Sequence, residues 1–148
     1  MLRIIQTSFR RRVPVILQTE TAECGLACLA MVLCYHAHPI DLATLRRDAA
    51  ISGSGVNLRA LMRIADRFGL NARPVKLALP ELGKLSLPCV LHWDFNHFVV
   101  LVAITESDAL IHDPARGMRK LSLDEVSRHF TGVAIELTPA SKFEKRDD

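Results

Sequence analysis

Cys24 stands where a polar stretch, TETAE, gives way to an apolar one, CGLACLAMVLCY. A thiol at the start of a helix faces unpaired backbone N–H groups, whose partial positive charge favours the thiolate. A thiolate attacks a carbonyl carbon; a thiol hardly does. The plainer reading of a cysteine is a small buried hydrophobe, and it suffices for Cys28, Cys34 and Cys89. Gly25, beside Cys24, permits close approach of a substrate, though glycine has many other uses.

A thiolate nucleophile needs a base, and histidine is the usual one. Of the six histidines, His97 opens a strongly apolar run, HFVVLVAI, which places it at a strand end where a site can form. His92 begins no such run. His36 and His38 follow the Cys24 helix and are carried away from its start, and His129 falls on a short surface helix. The base needs a partner that fixes its tautomer and stabilises the imidazolium. Asp113 ends ALIHD, the strand that returns after a turn at Ser107 and Asp108. A tight hairpin brings the start of its first strand near the end of its second, so His97 and Asp113 are expected as cross-strand neighbours. Asp113-Pro114 is equally a turn opener when taken alone. Acyl transfer also needs donors for an oxyanion. Gln18, six residues before Cys24 across the polar turn, can point its amide at the same spot; otherwise it is an ordinary loop glutamine.

The elements that must hold these groups follow from pattern. VPVILQ (13–18) reads as an extended apolar lead-in. Cys24 to Tyr35 is apolar almost throughout, which predicts a helix buried on most sides, with Thr21 and Glu23 supplying capping and first-turn acid. Pro39 closes that region. Asp41 caps a second helix over about 41–50, and SGSG (52–55) turns the chain. Asn57 caps a third helix over about 58–68, with Leu58, Leu61, Met62 and Ala65 at helical spacing and Gly69 as its stop. The second half changes to strands: NARPVKLAL, then a short turn led by Pro80, LPCVLHW (87–93), HFVVLVAI (97–104) and ALIHD (109–113). PARG turns, Leu123 to Phe130 is a short helix, and TGVAIELTP is a closing strand. Helices first and an antiparallel sheet second is an α+β arrangement.

Length and composition bound the rest. The chain has 148 residues, suited to one domain, and 49% of them are hydrophobic. Net charge is +3, too weak to argue for a nucleic-acid partner; Arg10, Arg11 and Arg12 read as a solvated stretch before a membrane or partner contact. No apolar run approaches the roughly 18 residues of a membrane span, and the N-terminus lacks the apolar core of a secretory signal. The domain is therefore expected on the cytosolic side. The four cysteines form no CxxC pair, which disfavours structural zinc, and an oxidised framework is not expected without a secretion signal. No G-x-x-x-x-G-K phosphate loop is present. Neither metal nor cofactor is expected in this domain.

QTETAECGLACLAM (18–31), GVNLRALMRIADRFGL (55–70), HFVVL (97–101), DPARG (113–117) and TGVAIEL (131–137) occur in an order that resembles one family. These are the bacteriocin-processing leader peptidases found at the N-terminus of ABC exporters. The resemblance covers roughly residues 13–138 and implies a papain-like fold, with N-terminal helices packed on a C-terminal antiparallel sheet. It puts the family's nucleophile on Cys24, its base on His97, its orienting aspartate on Asp113 and its oxyanion glutamine on Gln18. Phe130 departs from the tryptophan common in that family, a difference of packing rather than chemistry.

The resemblance implies a cysteine endopeptidase that removes the leader of a bacteriocin precursor after a Gly-Gly pair, coupled to export. The implied partners are that leader and the membrane and ATPase domains of the same exporter, at the cytoplasmic face of the inner membrane. Residues 1–138 would be the peptidase domain, with 1–12 an N-terminal extension and 139–148 a charged linker. Two other classes share these residues: a non-catalytic docking domain, which the presence of Cys24 disfavours, and a papain-like acyltransferase or deamidase.

Overall fold

A helix as apolar as CGLACLAMVLCY has no wetted face to offer, so it must be enclosed. In the computed structural model, which describes residues 12–49, 56–141 and 143, it is. Helix α1 (Cys24–Tyr35) buries every residue from Cys24 to Leu33. Around it lie α2 (Leu42–Ala49) and α3 (Leu58–Arg67) on one side and the sheet on the other. Asp41 caps α2 through Oδ1, which accepts from the Thr44 N–H at 2.7 Å, and Asn57 caps α3 by accepting from the Ala60 N–H at 2.8 Å.

The sheet contains β1 (Leu70–Lys76), β2 (Cys89–Trp93), β3 (His97–Ile104), β4 (Asp108–Asp113), β5 (Gly117–Ser122) and β6 (Phe130–Pro139). A helical turn, Leu79–Lys84, lies between β1 and β2, and α4 (Leu123–His129) lies between β5 and β6. The order is β1-β6-β2-β3-β4-β5, with antiparallel pairing at every junction. The central strands read as continuous apolar runs because both sheet faces are covered. Val90, Phe98, Val100, Ile135 and Leu137 pack toward α1. Their alternates Leu91, Val99, Leu101 and Ala134 join Trp93, Leu82, Leu85 and Val126 on the other face. This is the α+β, papain-like arrangement expected, helices packed on an antiparallel sheet.

Four details differ from the sequence reading. Thr21 and Glu23 give α1 no side-chain cap; Thr21–Glu23 is a separate 3-10 turn, and Glu23 is buried and bent back onto Thr19 and Glu20. Strand β5 was not expected. Its sequence, GMRKLS, is mostly polar because it is a sheet edge with one neighbour, and only Leu121 is buried. Phe130, expected as the end of the short helix, is instead the first residue of β6, which runs to Pro139 as expected. Past it, the Ala140 N–H donates to the Gly69 carbonyl at 2.8 Å, and Phe143 packs near His36 and His38. The segment expected as a linker thus begins inside the domain. Gly69 has φ +85°, and a Cβ there would meet the Phe143 Cα at 2.9 Å, so two constraints select glycine. The expected SGSG turn, the N-terminal extension up to residue 11 and the chain from 144 onward lie outside the described residues.

Leu29 of α1 is fully buried, whereas Val15 in the lead-in is 43% exposed. Leu29→Ala is expected to cost about 2–5 kcal/mol and Val15→Ala under about 0.5 kcal/mol. Urea unfolding of the two variants measures the difference.

Candidate active site

Cys24 is the first residue of α1 and is 7% exposed. Helix α1 packs on β3, and a Cβ on Gly25, its second residue, would stand at ordinary contact distance from Phe98 (3.5 Å) and Leu61 (3.6 Å). Phe98 of the sheet and Leu61 of the helical layer thus come together at the turn that carries Cys24. All four cysteines are free. Burial holds the Cys28 thiol well above its usual range, with the nearby charges of Cys24 and Asp113 adding to it, and pushes Cys89 up to about 12. Those two are thiols fixed in the core.

His97 is the first residue of β3, set there by the tight turn after β2. Asp94 and Phe95 in that turn have φ of 50° and 67°, the left-handed region that L residues rarely enter. The turn is tied down from outside. The Asp94 N–H donates to the His129 carbonyl at 2.9 Å, the His129 ring bonds Asp94 Oδ1 through Nδ1 at 2.8 Å, and that ring stacks on Trp93. The strand therefore starts at a fixed place.

Asp113 closes β4 and is 4% exposed. The β3–β4 register pairs Val100 with His112, so one further step sets Asp113 opposite Val99 and makes His97 its diagonal neighbour. The side chains meet across that diagonal: His97 Nε2 and Asp113 Oδ1 are 2.7 Å apart. The same Oδ1 accepts the Ala115 N–H at 2.9 Å, which locks the carboxylate into the turn that begins β5. With Nε2 committed to Asp113, Nδ1 is the ring nitrogen left for Cys24, whose sulfur is near enough to help raise the His97 pKa.

The electrostatics follow from these contacts. Burial alone would lower the His97 pKa, but the hydrogen bonds to Asp113 and Cys24, with the attraction of both groups, outweigh it and raise it to about 9. Burial would raise Asp113, and its bonds from His97 and the Ala115 N–H overcome that and hold it below the usual carboxylate range. The arrangement is a buried carboxylate paired with a protonated imidazole that has a sulfur nearby.

Gln18 reaches this region by another route. Its backbone N–H donates to the Pro114 carbonyl at 2.9 Å, which ties the lead-in to the Asp113 turn. Its side-chain amide donates to the carbonyls of Glu20 and Thr21 at 3.2 and 3.3 Å, and Oε1 is buried with no hydrogen-bond partner. The structure therefore brings Cys24, His97 and Asp113 together, while the recorded bonds of the Gln18 side chain stay within its own turn. His112, which the sequence reading passed over, is buried beside Asp113. Burial lowers its pKa, and its neutral ring contacts the Pro14 carbonyl through Nδ1 at 3.2 Å, anchoring the lead-in. Its position next to Asp113 in ALIHD was the available signal. His92 pairs with Thr131 at 2.8 Å. Among the described residues, no group of three His, Cys, Asp or Glu side chains is placed to hold a metal ion, and no helix is long and apolar enough to cross a membrane.

The sequence pattern described as the Peptidase C39 family matches residues 12–142. The chain is 54% identical over 135 residues to a protein of Escherichia coli named a probable microcin-H47 secretion/processing ATP-binding protein, covering 91% of this chain and 19% of that one. It is 49% identical over 144 residues to the colicin V secretion/processing ATP-binding protein of Escherichia coli, covering 97% of this chain and 21% of that one. The chain thus spans about a fifth of the length of these relatives. Among solved structures, it resembles a double glycine motif protease from an AMS/PCAT transporter in complex with its leader peptide, with a TM-score of 0.81 and 40% identity, covering 86% of this chain and 92% of that one. The peptidase domain of Streptococcus ComA shares the fold at a TM-score of 0.78 and 24% identity, covering 86% of this chain and 98% of that one.

Because the His97 pKa is raised, pairing stabilises the folded state fully below pH 6.5, and that gain is lost as pH rises through about 9. It amounts to about 3 kcal/mol. In Asp113→Asn the His97 ring should titrate well below the wild-type value, and the urea midpoint should fall less between pH 6.5 and 9. NMR titration of the ring protons with parallel unfolding curves measures both.

Proposed function

We propose, from the premise that this chain belongs to the Peptidase C39 family of cysteine peptidases, that it removes a leader peptide by cutting after a Gly-Gly pair. The observation that carries the reading is the His97–Asp113 hydrogen bond, with Cys24 at the N-terminus of α1 near enough to act on His97. Cys24 is the nucleophile, His97 the acid and base, and Asp113 the group that orients His97. The 40% identity to a double glycine motif protease supports this cleavage chemistry.

The steps follow from the geometry. Asp113 holds the Nε2 side of the ring, so Nδ1 faces the sulfur and keeps the proton taken from it. The thiolate attacks the carbonyl carbon of the second glycine. His97 then gives its proton to the departing amine, leaving a thioester on Cys24. Water, deprotonated by the now neutral His97, releases the leader and restores the thiol. The tetrahedral oxyanion needs donors. The backbone N–H of Cys24 is one and the Gln18 amide the other, once one of its hydrogens leaves the carbonyl of Glu20 or Thr21. No cofactor is required at any step.

Processing and secretion in the names of the relatives support a wider reading. The domain is the peptidase part of an ABC exporter, at the cytoplasmic side of a bacterial inner membrane. Its partners are the leader of a bacteriocin precursor and the membrane and ATPase domains of the same exporter. A docking domain without catalysis would have no use for a cysteine held against a histidine–aspartate pair, and the acyltransferase reading differs only in the acceptor.

Incubation with a synthetic leader–cargo peptide carrying Gly-Gly, followed by mass, tests the proposal. Wild type is expected to cut after the second glycine, and Cys24→Ala to lose at least roughly 10³-fold in rate while still binding the peptide. Binding without cleavage by wild type would favour the docking reading, and cleavage by Cys24→Ala would remove the nucleophile assignment.

A further inference from the structure

We infer that Glu23 and Arg46 form a positioning pair that holds the loop between Gln18 and Cys24 in its catalytic shape. The inference rests on the peptidase reading above. Glu23 directly precedes the nucleophile, yet it is only 3% exposed. A carboxylate at that depth is costly unless its oxygens are matched by donors. Each oxygen is matched. Oε1 accepts the Thr19 N–H at 3.1 Å, the Thr19 hydroxyl at 2.7 Å and the Glu20 N–H at 3.2 Å. Oε2 accepts Nε–H of Arg46, which reaches across from α2. The same guanidinium donates through Nη2 to the Thr19 hydroxyl at 3.0 Å. Arg46, Thr19 and Glu23 therefore close a ring.

That ring fixes both ends of one short loop. Thr19 adjoins Gln18 and Glu23 adjoins Cys24, so clamping Thr19 to Glu23 sets the spacing of the proposed oxyanion donor from the nucleophile. The pair stays ionised: the Arg46 guanidinium, against the opposing effect of burial and with help from Thr19 and Glu20, holds Glu23 down at about 2. Its two charges offset one another beside Cys24, so its effect is one of placement. Arg46 lies on α2, outside the reacting groups, and its side chain is 38% exposed. It can be replaced without opening the core, which Glu23 cannot.

The test compares wild type, Arg46→Ala and Arg46→Lys on the Gly-Gly peptide, with thermal melts to establish folding. Misplacement of a nucleophile by about an ångström costs up to roughly 10²-fold, so Arg46→Ala should lose about 10- to 100-fold in kcat, with KM little changed. Arg46→Lys should recover only part of it, since its donors all sit on one nitrogen and lack the planar fork with which Arg46 reaches Glu23 Oε2 through Nε and the Thr19 hydroxyl through Nη2. A kcat equal to wild type in a folded Arg46→Ala protein, or a change in KM alone, would overturn the inference. If wild type cuts no Gly-Gly peptide, the peptidase reading fails, and the pair is judged by iodoacetamide alkylation read at Cys24 by fragment mass. A Cys24 alkylation rate that differs from wild type at pH 7 in both variants supports the positioning role. A rate equal to wild type in Arg46→Lys overturns it.

Discussion

Enclosure of α1 is the constraint on which the rest of the structure depends. A helix buried along its length cannot slide or roll, because each displacement would expose leucine to water or drive it into the sheet. Its N-terminus is thereby aimed at one place, the end of the sheet where β3 begins and β4 finishes. Packing energy far from the chemistry thus sets the position of one sulfur atom. Leu61 and Phe98 line the space that a side chain at Gly25 would take, next to Cys24 itself.

The sheet does the matching work for the other two groups. Pairing β3 with β4 sets His97 and Asp113 on a diagonal, and the short turns at each end keep both from wandering. Left-handed backbone at Asp94 and Phe95 is unfavourable by itself, on the order of 1 kcal/mol or more per residue. It persists because the His129 carbonyl and ring hold the turn from α4. The pairing of a buried carboxylate with an imidazole then decides the protonation state, since burial without a partner would favour a neutral ring.

What could be read from the sequence was whatever depends on local pattern. The Cys24 helix, the caps at Asp41 and Asn57 and the strand beginning at His97 are written in consecutive residues, and they proved sufficient to bring Cys24, His97 and Asp113 together. What could not be read depends on neighbours remote in sequence. GMRKLS gives little strand signal because an edge strand needs only one apolar contact. Glu23 looked like a helix-start acid because its partner Arg46 lies 23 residues away on another helix. Phe143 looked like part of a charged tail because the cleft that takes it is built by Gly69 and the histidines after α1. The orientation of the Gln18 amide was equally out of reach, since it is set by two carbonyls of its own turn.

The central claim is that the Cys24 sulfur, activated by His97, is the atom that takes the acyl group. A leader peptide ending in Gly-glycinal, an aldehyde in place of the scissile carbonyl, captures that atom directly as a hemithioacetal. Intact-mass and fragment analysis of the trapped complex should find one peptide per chain, attached at Cys24, and His97→Ala should lose most of the adduct at pH 7. Attachment at Cys34, or an adduct formed equally well without His97, would contradict the account.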